Sequence, residues 1–438
     1  MKNLLQPSPT VTSGDSIPSA PGRESLKLLR MGRLGLALAV VGPGLMVMLA
    51  DTDAGSIMTA AQSGAQWGYT MILPQLLLIP ILYVVQEMTV RLGVVTGKGH
   101  GELIREHFGM GWAMLSVITL FVACIGALVT EFAGIAGVAE MFHIPLWVSV
   151  PTVTGLLVMV GLSGSYRRVE KIGLAVGLLE LLFIVAAFMA KPDIHAMARG
   201  LGSMPIGHGN YLFLLAANVG AVIMPWMVFY QQGAVIDKKL GPQHLKQTRW
   251  DTKVGAVLTQ LIMIAVVIVA AAAIHSSNAN APLGTVQEVA NALIPALGET
   301  GAVVIFGLGM AGAAFLAAIV VSLAGAWGLT EALNMKHSLN LPFRKAKGFY
   351  GVYTLAHVGG GAIVLLGIPL VSLMVQVEVM NAILLPIVLG FLILLERTAL
   401  PKEYRMTGVR KHIVWSLCGM LMLFGLYTAG VSLMDALK

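Results

Sequence analysis

Two acidic residues lie within a membrane-length apolar segment, and their chemistry is the strongest functional signal in this sequence. Residues 35–67 are almost entirely apolar, yet Asp51 and Asp53 fall near the middle, followed by Gly55 and Ser56. A carboxylate at mid-membrane depth costs ~3 kcal/mol or more on insertion scales, so we expect it to be functional. A helix break beside it frees backbone carbonyls that lipid cannot satisfy. Carboxylate, hydroxyl and carbonyl oxygens together suit a hard divalent cation.

A second apolar segment, residues 211–231, is interrupted in the same way at Met224, Pro225 and Trp226. Proline cannot donate the helical hydrogen bond, so carbonyls around Ala221 become available to a cation. The Met224 thioether suits transition metals better than magnesium. A methionine is also a common space filler, and the chain has 25 of them, so both roles stay open. Broken helices in corresponding halves of a membrane protein indicate a transporter's binding site.

Other acids within apolar segments have more than one interpretation. On a continuous helix Asp51 and Asp53 face different directions, so only unwinding lets both approach one ion. Asp51 therefore either joins the site or pairs with a basic residue. Glu131 and Glu378 are candidates for an ion path or a proton relay, as lone membrane carboxylates are by default. They are equally consistent with protonated core residues.

Two further acids have a structural interpretation. Glu87 lies four residues before Arg91, so the two side chains share a helix face and we expect an ion pair. Glu180 also lies within an apolar segment, and we expect it to serve structure rather than transport.

The composition predicts an all-α polytopic membrane protein. Apolar residues make up 57% of the chain and charged residues 11%, whereas soluble domains carry about 25% charged residues. The alternating ~10-residue segments of a transmembrane barrel are not seen in the sequence. Eleven segments are long enough to span ~30 Å of hydrocarbon. They are 35–67 (broken), 69–95, 113–141, 146–162, 172–190, 211–231 (broken), 254–275, 301–327, 349–367, 369–395 and 412–434.

The basic residues predict the orientation in the cell (cytoplasmic) membrane. Of the 28 Lys and Arg, all but Lys191, Arg199 and Lys438 belong to one alternate set of loops and span ends. The positive-inside rule then predicts a cytoplasmic N-terminus and an external C-terminus. Because the charges lie in short loops between spans, the net charge of +7 does not indicate a nucleic-acid partner. The Ser- and Pro-rich stretch 1–34 is expected to be a disordered cytoplasmic tail.

The order of the spans predicts an inverted repeat. Spans one to five (35–190) and six to ten (211–395) each open with a broken helix, and an odd number per set inverts the second. Residues 412–434 form an additional eleventh span. The connection 276–300 has a helical pattern and is expected to lie along the membrane surface.

Several function classes lack their sequence signatures. No phosphate-binding GxxxxGK[ST] motif and no His-Glu-x-x-His metalloprotease motif occurs, so we expect neither ATP-driven pumping nor an enzyme. Cys124 and Cys418 both lie in apolar spans without a metal-ligand spacing. We expect no cofactor and no obligate protein partner. The partners are the lipid bilayer and a transported ion, which is a substrate.

The motifs at both breaks resemble those of the NRAMP family of divalent metal ion transporters. The resemblance is carried by GPGLMVMLADTDAGS with SGAQWGY, by QEMTVRLGVVTGKGHGELIREHFG, and by VGAVIMPWMVFYQQGAVIDKKL. It covers spans one to ten in order. It implies an amino-acid/cation symporter-like fold, with two five-helix inverted repeats and broken helices one and six.

The chain departs from the family pattern at five positions in spans one, three, six and ten. Asp-Pro-Gly-Asn, usual in span one, is replaced by Asp53, Ala54, Gly55 and Ser56, and Met-Pro-His in span six by Met224, Pro225 and Trp226. The second acid of span three is replaced by Gly134, and Glu378 stands where a glutamine is usual. The pattern resembles the NRAMP-related magnesium and manganese branch more than the proton-coupled branch.

The residues and the resemblance together predict a secondary transporter of Mn²⁺, Mg²⁺ or Fe²⁺ that works by alternating access. Asp53 supplies charge, Ser56 a hydroxyl, and Ala50 and Ala221 carbonyl oxygens, while Met224 lines the site. Asp51 is a further candidate ligand, and Glu131, Glu378 and Trp226 mark a candidate ion path. Without the span-six histidine and the second span-three acid, weak or no proton coupling is expected. The alternative is a sodium-coupled amino-acid or amine carrier on the same broken-helix fold.

Overall fold

The protein is helical throughout the ranges that a computed structural model describes, residues 42–276, 283–367 and 370–436. Every regular element within these ranges is a helix. The predicted tail 1–34 lies outside the described residues, as do the first residues of span one and residues 277–282 of the predicted surface segment. The predicted all-α fold is therefore confirmed.

Among the described residues, the helices before residue 205 comprise the two halves of span one and seven further helices. In chain order they are α1 (Pro43–Asp51), α2 (Ala54–Trp67), α3 (Ile72–Thr96), α4 (His100–Phe108), α5 (Met110–Met141), α6 (Leu146–Leu162), α7 (Tyr166–Gly177), α8 (Leu182–Met189) and α9 (Ile194–Leu201).

The helices after residue 205 likewise begin with the two halves of a broken span, α10 (Gly209–Val222) and α11 (Pro225–Asp237). They continue with α12 (Leu245–Ala270), α13 (Val286–Ala292), α14 (Gly307–Ala332), α15 (Lys347–Val364), α16 (Leu370–Thr398) and α17 (Gly408–Ala436). Single turns join them at Gly68–Met71, Leu178–Leu181, Pro242–His244, Ala271–His275, Ile294–Leu297, Glu299–Gly301, Ala302–Phe306, Phe343–Lys345 and Lys402–Tyr404.

Eight helical stretches among the described residues are long and apolar enough to cross a membrane, and α6 is a shorter apolar helix. The eight are Ala54–Thr96, Met110–Met141, Tyr166–Met189, Gly209–Asp237, Pro242–His275, Glu299–Ala332, Val371–Thr398 and Gly408–Met434. The chain is therefore a multi-pass integral membrane protein. The number of eleven spans stays a prediction, because α1 has nine residues and the turn after α2 joins it to α3.

Both predicted helix breaks are present. The first helix ends at Asp51 and the next begins at Ala54, with Thr52 and Asp53 in non-helical conformations between them. The second break lies between Val222 and Pro225. Proline is well suited to the first position of α11, where no helical donor is needed, and it cannot continue α10.

The N-terminus of α1 is held by an aspartate on α12. The Asp251 carboxylate accepts hydrogen bonds from the backbone N–H groups of Gly42, Gly44 and Leu45 at 3.1, 2.8 and 3.2 Å. These are amide groups that have no partner within the helix itself. Gly42 has a φ of 147°, which favours glycine. α12 thereby fixes the start of the helix that leads to the first break.

The predicted pair of Glu87 and Arg91 is confirmed. Their side chains approach within 3.3 Å, and both are almost fully buried. Glu87 also pairs with Arg249 and Arg410 at 2.7 and 2.8 Å, and Arg91 contacts Glu396 at 3.5 Å. A single buried carboxylate thus links α3, α12 and α17.

Candidate functional site

The first break is organised by the side chain of Asp53. Its Oδ1 accepts a 2.7 Å hydrogen bond from the backbone N–H of Ser56, which makes Asp53 the N-cap of α2. Its Oδ2 is buried and has no hydrogen-bond partner among the described residues. One oxygen therefore holds the helix, and the other is available to a cation.

The carbonyl of Ala50 has lost its usual helical donor. In a continuous helix the N–H of Ala54 would donate to Ala50, four residues earlier. Here the N–H of Ala54 donates instead to Oε2 of Glu131, at 3.2 Å. The other oxygen of Glu131 accepts from the hydroxyl of Thr130, at 3.2 Å. Glu131 thus completes the start of α2 from the neighbouring helix α5.

The second break faces the first. Because Pro225 has no N–H, the carbonyl of Ala221 has no helical donor. The Ser56 hydroxyl donates a 3.1 Å hydrogen bond to that carbonyl. The predicted hydroxyl and carbonyl ligands are therefore in direct contact, although they are 165 residues apart in sequence.

Glu378 reaches the same region through two close backbone approaches. A Cβ atom at Gly55 would overlap Oε1 of Glu378, and it would lie 3.5 Å from Oδ1 of Asp53. A Cβ atom at Gly220 would overlap the Glu378 carbonyl. Only glycine fits at Gly220, where the overlap is with backbone, whereas at Gly55 the Glu378 carboxylate would have to move. The two glycines let α16 approach both broken helices. Oε2 of Glu378 accepts from the Asn381 amide at 3.0 Å, and Oε1 has no partner in the described part of the chain.

The remaining predicted residues are buried near the breaks without hydrogen bonds to this group. Neither carboxylate oxygen of Asp51 has a partner among the described residues, and neither does the Trp226 indole nitrogen. Met224 is the residue before Pro225, in the extended part of the second break. An indole nitrogen is a donor only, so Trp226 can neither accept a proton nor bind a cation through it.

The site is closed to solvent in this conformation. The side chains of Asp51, Asp53, Ser56, Met224, Trp226, Glu131 and Glu378 are at most 1% exposed. Within the described ranges, no three His, Cys, Asp or Glu side chains form a ready metal cluster. The group instead combines oxygen atoms of different types, from carboxylates, a hydroxyl and backbone carbonyls.

The helix ends around the breaks have opposite electrostatic character. The C-terminal ends of α1 and α10 carry partial negative charge and free carbonyls, which attract a cation. The N-terminal end of α2 carries partial positive charge, and Asp53 offsets it as the cap. Several carboxylates buried together in a region of low dielectric constant require a proton or a cation to neutralise them.

A chain of polar side chains that the sequence did not predict leads away from the breaks. The Asn218 amide donates to the Ser63 hydroxyl at 2.7 Å, and the Gln75 amide donates to Asn218 at 2.5 Å. Ser63 and Ser56 are seven residues apart on α2, so they share one face. The signal in the sequence was the presence of two amide side chains, Gln75 and Asn218, within apolar segments. Asp251 was also missed, because the amide groups that it binds lie about 207 residues earlier in the chain.

Solved structures of membrane transporters share the fold of this chain. The fold resembles MHP1, a nucleobase-cation-symport-1 family transporter, with a TM-score of 0.58, 12% identity, and coverage of 89% of this chain and 90% of that one. It resembles the manganese transporter of Eremococcus coleocola more closely, with a TM-score of 0.76, 18% identity, and coverage of 91% and 88%. The broken-helix transporter fold is thus shared.

The family model described as natural resistance-associated macrophage protein-like (Nramp) matches residues 44–429. The chain therefore belongs to the Nramp family of divalent metal ion transporters, as the sequence motifs predicted. A divalent metal cation transporter, MntH, from Yersinia pestis strain Pestoides F is 29% identical over 301 residues, which are 66% of this chain and 72% of that protein. The prediction that the protein is a transporter and not an enzyme is confirmed.

Proposed function

We propose that this protein moves divalent metal cations across the cytoplasmic membrane by alternating access, with the ion bound between the two helix breaks. In this proposal Asp53 supplies negative charge through Oδ2. Ser56 supplies its hydroxyl, and Ala50 and Ala221 supply carbonyl oxygens. The observation that carries the proposal is the hydrogen bond between Ser56 and Ala221, beside a buried carboxylate oxygen without a partner in the described ranges.

Further residues complete the proposed site and its access route. Met224 lines the site through its thioether, and Asp51 adds a second carboxylate when the break opens further. Glu131, Glu378 and Trp226 border the ion path. The support is that Glu131 caps the start of α2, and that Glu378 lies against Gly55 next to Asp53.

For the identity of the ion we propose Mn²⁺, with Mg²⁺ as a second substrate. The Yersinia relative is named a divalent metal cation transporter, and the Eremococcus structure is named a manganese transporter. A thioether at Met224 favours a transition metal. Mg²⁺ dehydrates reluctantly and needs room for several waters. The closed group of side chains offers an ion few positions for water, which favours Mn²⁺.

We further propose weak or no coupling to protons. Trp226 stands where the family usually has histidine, and its indole cannot carry a proton at physiological pH. Gly134 stands in place of the second acid of span three, and a Cβ atom there would lie 2.5 Å from the Cβ of Ala54. Ala54 and Gly134, which both depart from the family pattern, thus pack against each other. This contact leaves no space for a carboxylate at position 134.

The proposal includes the organisation of the chain into two repeats. Residues 35–190 and 211–395 form inverted repeats, with 412–434 as an additional span, a cytoplasmic N-terminus and an external C-terminus. Alternating access then results from rocking of one group of helices against the other. The Asp251 contacts at the start of α1 are among those that such a motion would break.

The direct test is metal uptake into liposomes that contain the purified full chain and a fluorescent chelator. We expect Mn²⁺ uptake by the wild type and at least tenfold slower uptake by Asp53→Asn, because the charge is removed while the side-chain shape is kept. Glu140→Gln is the matched control, since Glu140 is an exposed carboxylate on α5. Its uptake should equal that of the wild type.

Two results would contradict the proposal. One is an unchanged rate in Asp53→Asn. The other result would favour the alternative function, a sodium-coupled amino-acid carrier with the same fold. If amino acids raise the melting temperature of the purified protein and Mn²⁺ does not, the ligand is not a metal ion.

A further inference from the structure

A groove at one end of the bundle has the chemistry of an anion site. It lies between α3 and the start of α12, and its volume is about 580 Å³. Its lining residues are Tyr83, Leu245, Lys246, Arg249, Trp250 and Lys253. None of these lining residues is acidic. The groove is distant in sequence from both helix breaks and lies at the N-terminal end of α12.

The outward face of α12 changes character along its length. Lys246, Trp250 and Lys253 are exposed and follow one another at intervals of four and three residues, so they share one face. The same face continues with exposed Val257 and Leu261. The Lys253 ammonium lies 6.0 Å from the centre of the Trp250 ring. A basic end, an interfacial tryptophan and an aliphatic continuation match the headgroup, interface and acyl chains of a phospholipid.

The position of the lysines opposes the helix dipole. The N-terminus of a helix carries partial positive charge, so basic residues there are unfavourable unless an anion is present. The first turn of α12 has no acidic residue, and Lys246 is its second residue. A phosphate at this helix end would interact with both the side chains and the dipole.

The floor of the groove is connected to a buried ion-pair network with excess positive charge. Arg249 donates to Oε1 of Glu87 at 2.7 Å through its Nε. Arg91 and Arg410 also approach Glu87, and Arg91 contacts Glu396. The arginines outnumber the carboxylates in this network, and the two groove lysines add further positive charge. An anion bound in the groove would therefore offset charge that is left unbalanced within the described part of the chain.

We propose that this groove binds the phosphate of an anionic phospholipid from the leaflet on the basic side of the membrane. Lys246, Arg249 and Lys253 contact the phosphate, Trp250 lies at the level of the ester groups, and the acyl chains follow Val257 and Leu261. The bound lipid stabilises the contact between α3, α12 and α17 through Arg249 and Glu87. The site is separate from the ion path.

The test compares lipid binding by the full-length protein in detergent, using phosphatidylglycerol and phosphatidylcholine. Affinity is measured by native mass spectrometry, and stabilisation by the shift in melting temperature. We expect phosphatidylglycerol to bind and stabilise the wild type more than phosphatidylcholine does. Replacing both groove lysines, Lys246→Gln with Lys253→Gln, should weaken phosphatidylglycerol binding about fivefold for each lysine. Both side chains are exposed, so the variant should fold.

The matched control replaces two exposed lysines in another basic connection, Lys336→Gln with Lys345→Gln. If this control loses as much affinity as the groove variant, the effect is general electrostatics and the proposal is wrong. If inorganic phosphate alone stabilises the protein equally and blocks phosphatidylglycerol, the groove is a site for soluble anions and the lipid assignment is wrong.

A second measurement does not depend on stability. Phosphatidylglycerol with brominated acyl chains should quench the fluorescence of Trp250, read as the difference between the wild type and Trp250→Phe. Quenching that survives in full in the lysine variant would show that Lys246 and Lys253 do not hold the lipid, and it would overturn the proposal.

Discussion

The hydroxyl of Ser56 donates a 3.1 Å hydrogen bond to the carbonyl of Ala221, which joins the start of α2 to the end of α10. The missing N–H of Pro225 leaves this carbonyl free, and the short side chain of Ser56 reaches it across the gap. Rotation of the hydroxyl would expose two oxygen atoms to an ion. The contact that holds the two breaks together is therefore made by a hydroxyl and a carbonyl oxygen, the kinds of oxygen that divalent cations accept as ligands.

Replacing Ser56 should weaken metal binding moderately. In Ser56→Ala one ligand is lost and the Ala221 carbonyl loses its donor, so we expect Mn²⁺ affinity to fall about fivefold, the equivalent of about 1 kcal/mol. Ser56→Asn restores an oxygen ligand and should recover part of the affinity. Isothermal titration calorimetry measures both. Equal affinity of Ser56→Ala and the wild type would exclude the hydroxyl as a ligand.

Enlarging Gly55 should separate the helices at the site. In Gly55→Ala the new methyl group overlaps the carboxylate of Glu378, so we expect a loss of about 1–3 kcal/mol in the free energy of unfolding. The matched control is Gly155→Ala on α6, where a Cβ atom meets nothing within 4 Å. The Gly155→Ala variant should be slightly more stable than the wild type, because alanine has a higher helix propensity than glycine. Thermal unfolding in detergent checks the pair, and equal melting temperatures would disprove the overlap.

Removing the thioether should change selectivity more than overall binding. In Met224→Ala we expect weaker Mn²⁺ binding with Mg²⁺ binding unchanged, because sulfur is a soft ligand. Met335→Ala, at an exposed position, is the control. Calorimetric titration with Mn²⁺, Mg²⁺, Fe²⁺ and Ca²⁺ compares the variants. A uniform loss for all four ions would indicate that Met224 only fills space.

Restoring the family's histidine should introduce proton coupling. The wild type is expected to take up Mn²⁺ into liposomes with little internal acidification. In Trp226→His, a group able to carry a proton stands beside the second break, so uptake should become accompanied by acidification. A pH-sensitive dye inside the liposomes reports the proton flux. Stoichiometric acidification by the wild type itself would rule out the uncoupled mechanism.

Stability should decrease at mildly acidic pH because of His100, which lies outside the long membrane-spanning helices. Burial lowers the pKa of His100 to about 4, and a 3.2 Å contact between Nδ1 and Oε1 of Gln232 opposes the shift only in part. The unfolded chain binds a proton near pH 6.5, so it takes up more protons than the folded state between pH 6.5 and 4. The contribution of His100 to stability is therefore fully present above pH 6.5 and falls by about 1.4 kcal/mol per pH unit between pH 6.5 and 4.

The check on this prediction is thermal unfolding as a function of pH. His100→Gln should flatten the decrease between pH 6.5 and 4, whereas His412→Gln, at an exposed position, should not. If both variants follow the wild-type curve, His100 does not control this part of the profile.

Much of the site was predictable from local sequence. Asp53 in an apolar segment and Pro225 in another each indicate a helix break by themselves, because lipid tolerates neither a free charge nor unsatisfied carbonyls. The pair of Glu87 and Arg91 followed from their spacing of four residues. The family followed from the motifs at both breaks. These signals depend on chain neighbours and on the membrane as solvent.

Only the tertiary structure decided which distant groups meet. Nothing in the sequence near Glu131 specifies that it accepts from Ala54, or that Glu378 approaches Gly55. The same holds for Asp251, which caps a helix about 207 residues earlier in the chain. Such contacts arise from helix packing, in which close approach is limited by side-chain volume and not by sequence spacing. The sequence by itself determined where the helices break and which oxygen atoms become free; packing determined that the two breaks face each other and share one hydrogen bond.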